Sequence, residues 1–250
     1  MKTALITGAS SGLGAEFARQ LSAQGWRLIL VARRTERLAE LRNKLGTPCR
    51  IITADLSDYS QCRDLYEQTR DEHIDLLINN AGMGLFGDFD STDLAREQQM
   101  LAVNCGAVLT LTKLWLPDFI AADSGTVLNV ASSAAFAVGP LLSGYYASKA
   151  YVLKLSQSVD AELRKRGSKV RVVALCPGPV DTEFNSVAGA AFSLRGKTAE
   201  YVVSYALKKL RRGKRVICPG FEIRAGRLLA RLSSDKLLGD VGYAVQNKKR

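Results

Sequence analysis

Histidine is almost missing from this chain: His73 is the only one in 250 residues. Ser-His-Asp chemistry would have to run through that residue, and a metal site would lack its commonest ligand. His73 stands just before the apolar run from Asp75 to Asn79, at an expected helix end, where a capping or surface role is commoner. Cysteine is sparse too. The five (Cys49, Cys62, Cys105, Cys176, Cys218) are scattered, odd in number and form no Cys-x-x-Cys, so they read as reduced packing residues. No resident metal is expected. No uninterrupted apolar run reaches the ~18 residues that span a bilayer. The apolar run that begins the chain is too short for a secretory signal and leads directly into glycines. A soluble, cytoplasmic protein is expected.

What is present fits a folded protein with a large core. Apolar residues make up 47% and charged residues 24%, the balance of an ordinary globular chain, and an α/β fold of this length often forms one domain. The net charge of +11 is uneven: residues 1–160 hold 15 Lys/Arg and 17 Asp/Glu, whereas residues 161–250 hold 20 and 7. A C-terminal third at +13 points to an acidic partner or to a solvated basic surface. The basic tail, residues 221–250, lacks the interleaved aromatics that base stacking needs, so nucleic-acid binding is not expected.

Short apolar runs alternate with amphipathic stretches. Strands are expected at Thr3–Thr7, Arg27–Ala32, Arg50–Thr53, Asp75–Asn79, Gly125–Val130, Val170–Cys176 and Arg215–Cys218. Helices are expected over Ala15–Gln24, Arg34–Leu45, Tyr59–Glu72, Gly144–Arg166 and Thr198–Arg211, with a helix or broken pair over Asp93–Ala121. This rhythm predicts a parallel sheet with helices on both faces. Between Thr182 and Lys197 a Gly/Ala/Ser-rich segment without period reads as a loop or lid.

Two stretches carry chemistry. Thr7-Gly8-Ala-Ser-Ser-Gly12-Leu-Gly14 falls between the first strand and first helix, where glycines let the backbone approach a pyrophosphate and the helix N-terminus offers free N–H groups. Tyr145 and Lys149 are four residues apart, on one face of the long helix expected from Gly144. An ammonium beside a phenol favours the phenolate, which brings a tyrosine within range of acid/base work. Tyr146 cannot play this part, because four residues on lies Ala150.

With Asn79-Asn80-Ala81-Gly82, these motifs resemble the short-chain dehydrogenase/reductase family from Thr3 to about Cys218. The resemblance implies a single-domain Rossmann-type fold over residues 1–250: a doubly wound parallel α/β sheet of seven strands, ordered 3-2-1-4-5-6-7. It implies hydride transfer between a nicotinamide cofactor and a ketone or secondary alcohol. Ser132 lies 13 residues before Tyr145, as the family's carbonyl-polarising serine does, with Ser133 its adjacent competitor. Asn104, which from its residue type alone would be a structural hydrogen bonder, matches the fourth catalytic position and would hold a water beside Lys149. The catalytic set is then Asn104, Ser132, Tyr145 and Lys149, with Ser132 and Tyr145 touching substrate and Lys149 also binding the ribose. For the cofactor the resemblance points to Gly8, Ser10, Ser11, Gly12, Leu13 and Gly14 around the phosphates. Asp55 and Leu56 fall at the adenine, and Asn80, Ala81 and Gly82 beside it. Pro177, Gly178, Val180 and Thr182 fall at the nicotinamide.

Ala32 stands where the family's NAD-users carry Asp, and Arg33 follows it, so Arg33, helped by Arg34 or Ser10, is expected to bind a 2′-phosphate. NADP(H) is therefore expected over NAD(H), although Ser11 is not the basic residue some NADP-users carry there. Phe136, Val138, Leu141, Leu142, Phe184 and Phe192, with a substrate loop over residues 183–197, are expected to make an apolar pocket. That suits a hydrophobic carbonyl such as a 3-oxoacyl thioester or a lipid-like ketone. The tail, residues 221–250, alternates Ile223, Leu228, Leu229, Leu232, Leu237 and Leu238 with Arg224, Arg227, Arg231 and Lys236. Packing in a homodimer or homotetramer is favoured for it over a membrane surface. A non-catalytic dinucleotide sensor on the same fold is the alternative, and the complete acid/base set argues against it.

Overall fold

The computed structural model describes residues 1–184 and 196–247. Seven strands form one sheet: β1 (Thr3–Thr7), β2 (Arg27–Ala32), β3 (Cys49–Thr53), β4 (Leu76–Asn79), β5 (Thr126–Val130), β6 (Arg171–Leu175) and β7 (Val216–Ile217). Their order is β3-β2-β1-β4-β5-β6-β7 and every pairing is parallel. β1, β4 and β5 are buried along their whole length, which is why they read as continuous apolar runs rather than alternating ones. In β1, Ile6 pairs with Leu30 on one side and Ile78 on the other. The chain builds outward through β2 and β3, then returns to place β4 against β1. The connections after those two strands leave in opposite directions and open a crevice at their carboxyl ends.

Helices cover both faces. On one side, α1 (Gly12–Ala23) and α6 (Ala199–Arg211) bury Phe17, Leu21, Val203 and Leu207, with α2 (Thr35–Arg42) adding Leu38. On the other, α3 (Tyr59–Glu67), α4 (Leu94–Ala121) and α5 (Ser143–Lys165) bury Leu65, Trp115, Phe119 and Leu163. Two final helices, α7 (Phe221–Leu232) and α8 (Asp235–Asn247), follow β7.

Three differences from expectation have physical reasons. The first helix starts at Gly12, because the glycines supply its first turn rather than a loop before it. The third ends at Glu67 rather than Glu72, and residues 68–74 descend to β4 in tight turns. The stretch 94–121 is continuous, but its turns over Ala102–Ala107 are π-helical. Such a wide turn re-aims side chains and is frequent at functional sites; here it carries Asn104, fully buried.

One charged group pins the back of the sheet. Asp160 of α5 is 3% exposed and accepts from Arg215 at 2.8 Å, Arg164 at 3.2 Å and the Val172 amide at 3.3 Å. It ties α5 to β6 and to the residue that leads into β7.

Candidate active site

The glycine turn leaves β1 at the crevice. Gly8 has φ +63, and a Cβ there would sit 2.8 Å from Ala81 Cα. A Cβ on Gly14 would collide with the Gly8 carbonyl oxygen and the Asn80 amide. Only bare backbone lets this turn close against β4. Asn80 holds the two strand ends together: Nδ2 donates to the carbonyls of Thr7 (2.9 Å) and Gly8 (3.2 Å), while the Asn80 and Ala81 amides donate to Thr7 Oγ1 at 2.9 and 3.0 Å. The first-turn amides of α1 have no intrahelical acceptor, and Gly12 and Leu13 line the cleft above the turn.

Beyond β2, Arg34 rather than Arg33 closes on the glycine turn. Its guanidinium donates to Ser11 Oγ at 2.9 Å and Ser10 Oγ at 3.1 Å. Arg33 is instead turned to Asp55, 3.8 Å away. Arg34 and Arg37 both pair with Glu183.

Ser132, Tyr145 and Lys149 come together at the start of α5. Ser132 and Tyr145 line the same cleft, with Ser132 favouring the ionised form of the phenol, and Lys149 Nζ lies 5.8 Å from the Tyr145 ring centroid. Ser133, the competitor, spends its amide on the Pro177 carbonyl at 2.7 Å, and it is Ser132 that meets the tyrosine. Asn104 exchanges hydrogen bonds with the Met83 backbone at 3.0 and 2.9 Å, and its Nδ2 also donates to Ser148 Oγ at 3.0 Å. It braces the turn that carries Lys149.

The electrostatics correct one expectation. Burial outweighs the nearby Lys149 ammonium, and the net shift of Tyr145 is upward. Burial pushes the Tyr145 phenol up to about 12, partly opposed by the Ser132 hydrogen bond. Burial likewise brings the Lys149 ammonium down to about 8. Lys149 is 5% exposed and directs its charge to the Val130 carbonyl at 3.0 Å. The tyrosine as a whole is half-buried in the cleft wall, but its hydroxyl end is desolvated.

A cleft of about 580 Å³ runs over these groups. Every expected cofactor residue except Gly14 lines it, together with Ser132, Tyr145 and Lys149; Gly14 and Asn104 support it from behind. Val180 bridges to Lys197, and Thr182 stands over Gly12. The expected apolar wall holds only in part. Leu142 and Phe184 line the cleft, with the Phe184 ring centroid 5.4 Å from that of Tyr145. Phe136 packs outside it under Arg227, Leu141 is buried, Val138 is exposed, and Phe192 lies outside the described residues. Most of the loop over 183–197 also lies outside them. Among the described residues Met83, Arg96, Gln99, Tyr146 and Gln246 also line the cleft. Gln246 reaches in from α8, buried, and donates to the Tyr146 hydroxyl; nothing local in the sequence marks a residue 100 positions away. Among the described residues no His/Cys/Asp/Glu cluster could hold a metal.

The bare-backbone turn, the free helix amides and the arginine at the end of β2 fit a dinucleotide lying across the crevice. A sequence model of the short chain dehydrogenase family matches residues 2–191. An uncharacterized oxidoreductase of Staphylococcus epidermidis is 34% identical over 198 residues, 78% of this chain and 84% of that protein. A ketoacyl reductase of Nostoc is 34% identical over 227 residues, 81% and 78% of the two chains. The solved structure of a short-chain dehydrogenase from Sphingobium yanoikuyae in complex with NADPH superposes with a TM-score of 0.85 at 32% identity, covering 96% of each chain.

Proposed function

The chain belongs to the short-chain dehydrogenase family and is an oxidoreductase, and from that premise we propose that it reduces hydrophobic ketones with NADPH. The observation that carries this reading is the convergence of Ser132, Tyr145 and Lys149 on one cleft that is continuous with the glycine turn. When bound, the nicotinamide supplies hydride to the carbonyl carbon. Ser132 and Tyr145 present their hydroxyls to the carbonyl oxygen, where negative charge develops. Tyr145, held protonated by burial, gives its proton to that oxygen. Lys149, still an ammonium below about pH 8, binds the ribose and stabilises the phenolate that proton loss creates. Asn104 keeps the Met83 and Ser148 turns in register behind Lys149 and serves the proton path to solvent.

The preference for NADPH is supported by Ala32, which offers no carboxylate to a ribose hydroxyl, and by Arg34 held over Ser10 and Ser11 with Arg33 beside it. The relative from Sphingobium yanoikuyae was solved with NADPH. The substrate class is supported by Leu142, Phe184 and Met83 along the cleft and by the likeness to a ketoacyl reductase. Steady-state oxidation of NADPH with 3-oxoacyl thioesters of increasing chain length tests it. kcat/KM should climb with each added pair of methylenes, at roughly 0.8 kcal/mol per buried methylene. A short, polar keto acid turned over best would contradict the hydrophobic-substrate reading.

A further inference from the structure

Helix α7 exposes more apolar surface than its packing explains. Phe221, Leu229 and Leu232 are 75%, 64% and 79% exposed, and Leu228 lies beside them. At 100° per residue these side chains share one sector, while Ile223 and Arg227 face the opposite way, toward the body. The contacts agree. Ile223 packs with the cluster around Cys176 and Cys218 and closes on Gly178, and Arg227 lies over the Phe136 ring at 5.3 Å. Helix α8 repeats the arrangement: Gly242 packs close to the Val138 carbonyl and Gln246 is buried, while Leu237 and Val241 are exposed.

We propose that the outer face of α7 and α8 docks on an anionic lipid surface. Charge decides between lipid and a second copy. Arg224 and Arg231 lie together along one edge of the apolar sector of α7, while on α8 Lys236 is offset by Asp235 and Asp240, so the positive edge belongs to α7. Arg224 is held at the rim by the Gly220 carbonyl and lies 5.8 Å from the Phe221 ring centroid. Glu222, the one acid in α7, is drawn off by Lys197 at 2.9 Å. A two-fold contact through this face would bring arginine rims together on chains that each carry +11. A lipid surface accepts the leucines into its acyl boundary and the arginines among its phosphates. The docked orientation sets against the bilayer the two helices that close one side of the cleft, through Gln246 and Gly178. The proposal does not depend on the substrate.

Sedimentation of the full chain with vesicles tests it, using phosphatidylglycerol mixed with phosphatidylcholine against phosphatidylcholine alone. The wild-type protein should pellet with the anionic vesicles and be released by salt. L228E/L229E should bind roughly a hundredfold more weakly, as two lipid-facing leucines become charged. Both positions are exposed, so turnover of a soluble ketone should be unchanged in that variant and report that it is folded. Failure of the wild type to pellet overturns the proposal, as does equal binding to the uncharged vesicles. Light scattering that shows L228E/L229E splitting an oligomer, with vesicle binding intact, assigns the face to a second copy and also overturns it.

Discussion

Lys149 is held at a cost to the fold. Its ordinary pKa of 10.5 falls to about 8 through burial, and at about 1.4 kcal/mol per pKa unit the folded state loses roughly 3 kcal/mol by keeping it charged. The sign follows from proton counting. Below pH 8 the lysine is protonated in both states and the whole penalty is present. Between pH 8 and 10.5 the unfolded chain holds more protons than the folded one, so stability rises with pH and the penalty disappears. Lys149→Met removes the charge and keeps the length, but costs the Val130 carbonyl its 3.0 Å donor, about 1 kcal/mol. The variant should therefore be more stable than wild type by about 2 kcal/mol near pH 7, and this gain should shrink to about zero near pH 10. Urea denaturation of both proteins without cofactor, compared at equal m-values, measures the gap. A variant less stable near pH 7, or a gap that does not close with pH, refutes a charged lysine buried against its own solvation.

Other consequences are more local. Arg34→Ala should raise KM for NADPH by about 10- to 100-fold while leaving KM for NADH within a factor of two, because a charged hydrogen bond to phosphate contributes about 1.5–3 kcal/mol; equal losses for both cofactors would remove the phosphate role. Asp160→Ala should destabilise the fold by about 2–3 kcal/mol in thermal or urea unfolding. That is somewhat below the usual cost of breaking a buried pair, because its arginines reach solvent. KM values should not move, since Asp160 lies outside the cleft. Carbonyl reduction should fall as pH rises through about 8, where Lys149 loses its proton. A kcat profile flat to pH 10 would show that the ammonium gives the phenolate no support.

Much of the site is written in local spacing. Gly8, Gly12 and Gly14 span the passage from a wholly buried strand into the first turn of α1, and Tyr145 and Lys149 lie one turn apart on a single helix, so each motif is visible as a short spacing. The strands were legible for a related reason: in a parallel sheet covered on both faces, Ala4-Leu5-Ile6 and Leu76-Leu77-Ile78 have no solvent side on which to place a polar residue. What was not legible depends on distant packing. The choice between Arg33 and Arg34 turns on Asp55 and Glu183, which arrive from other loops. Phe136 was expected in the cleft but lies under Arg227 of α7, and Gln246 enters the cleft from α8. The direction of the Tyr145 shift was misread because spacing reports the nearby ammonium but not the burial that outweighs it.

The central claim is that Tyr145 is the proton donor in a nicotinamide-dependent reduction. Tyr145→Phe keeps the ring and removes only the hydroxyl. Its NADPH affinity, read by cofactor fluorescence, and its turnover of a hydrophobic ketone should be measured on the same preparation. NADPH binding within a few-fold of wild type, with kcat lowered about 10²- to 10⁴-fold, is the predicted result. Full turnover without the hydroxyl would contradict the account.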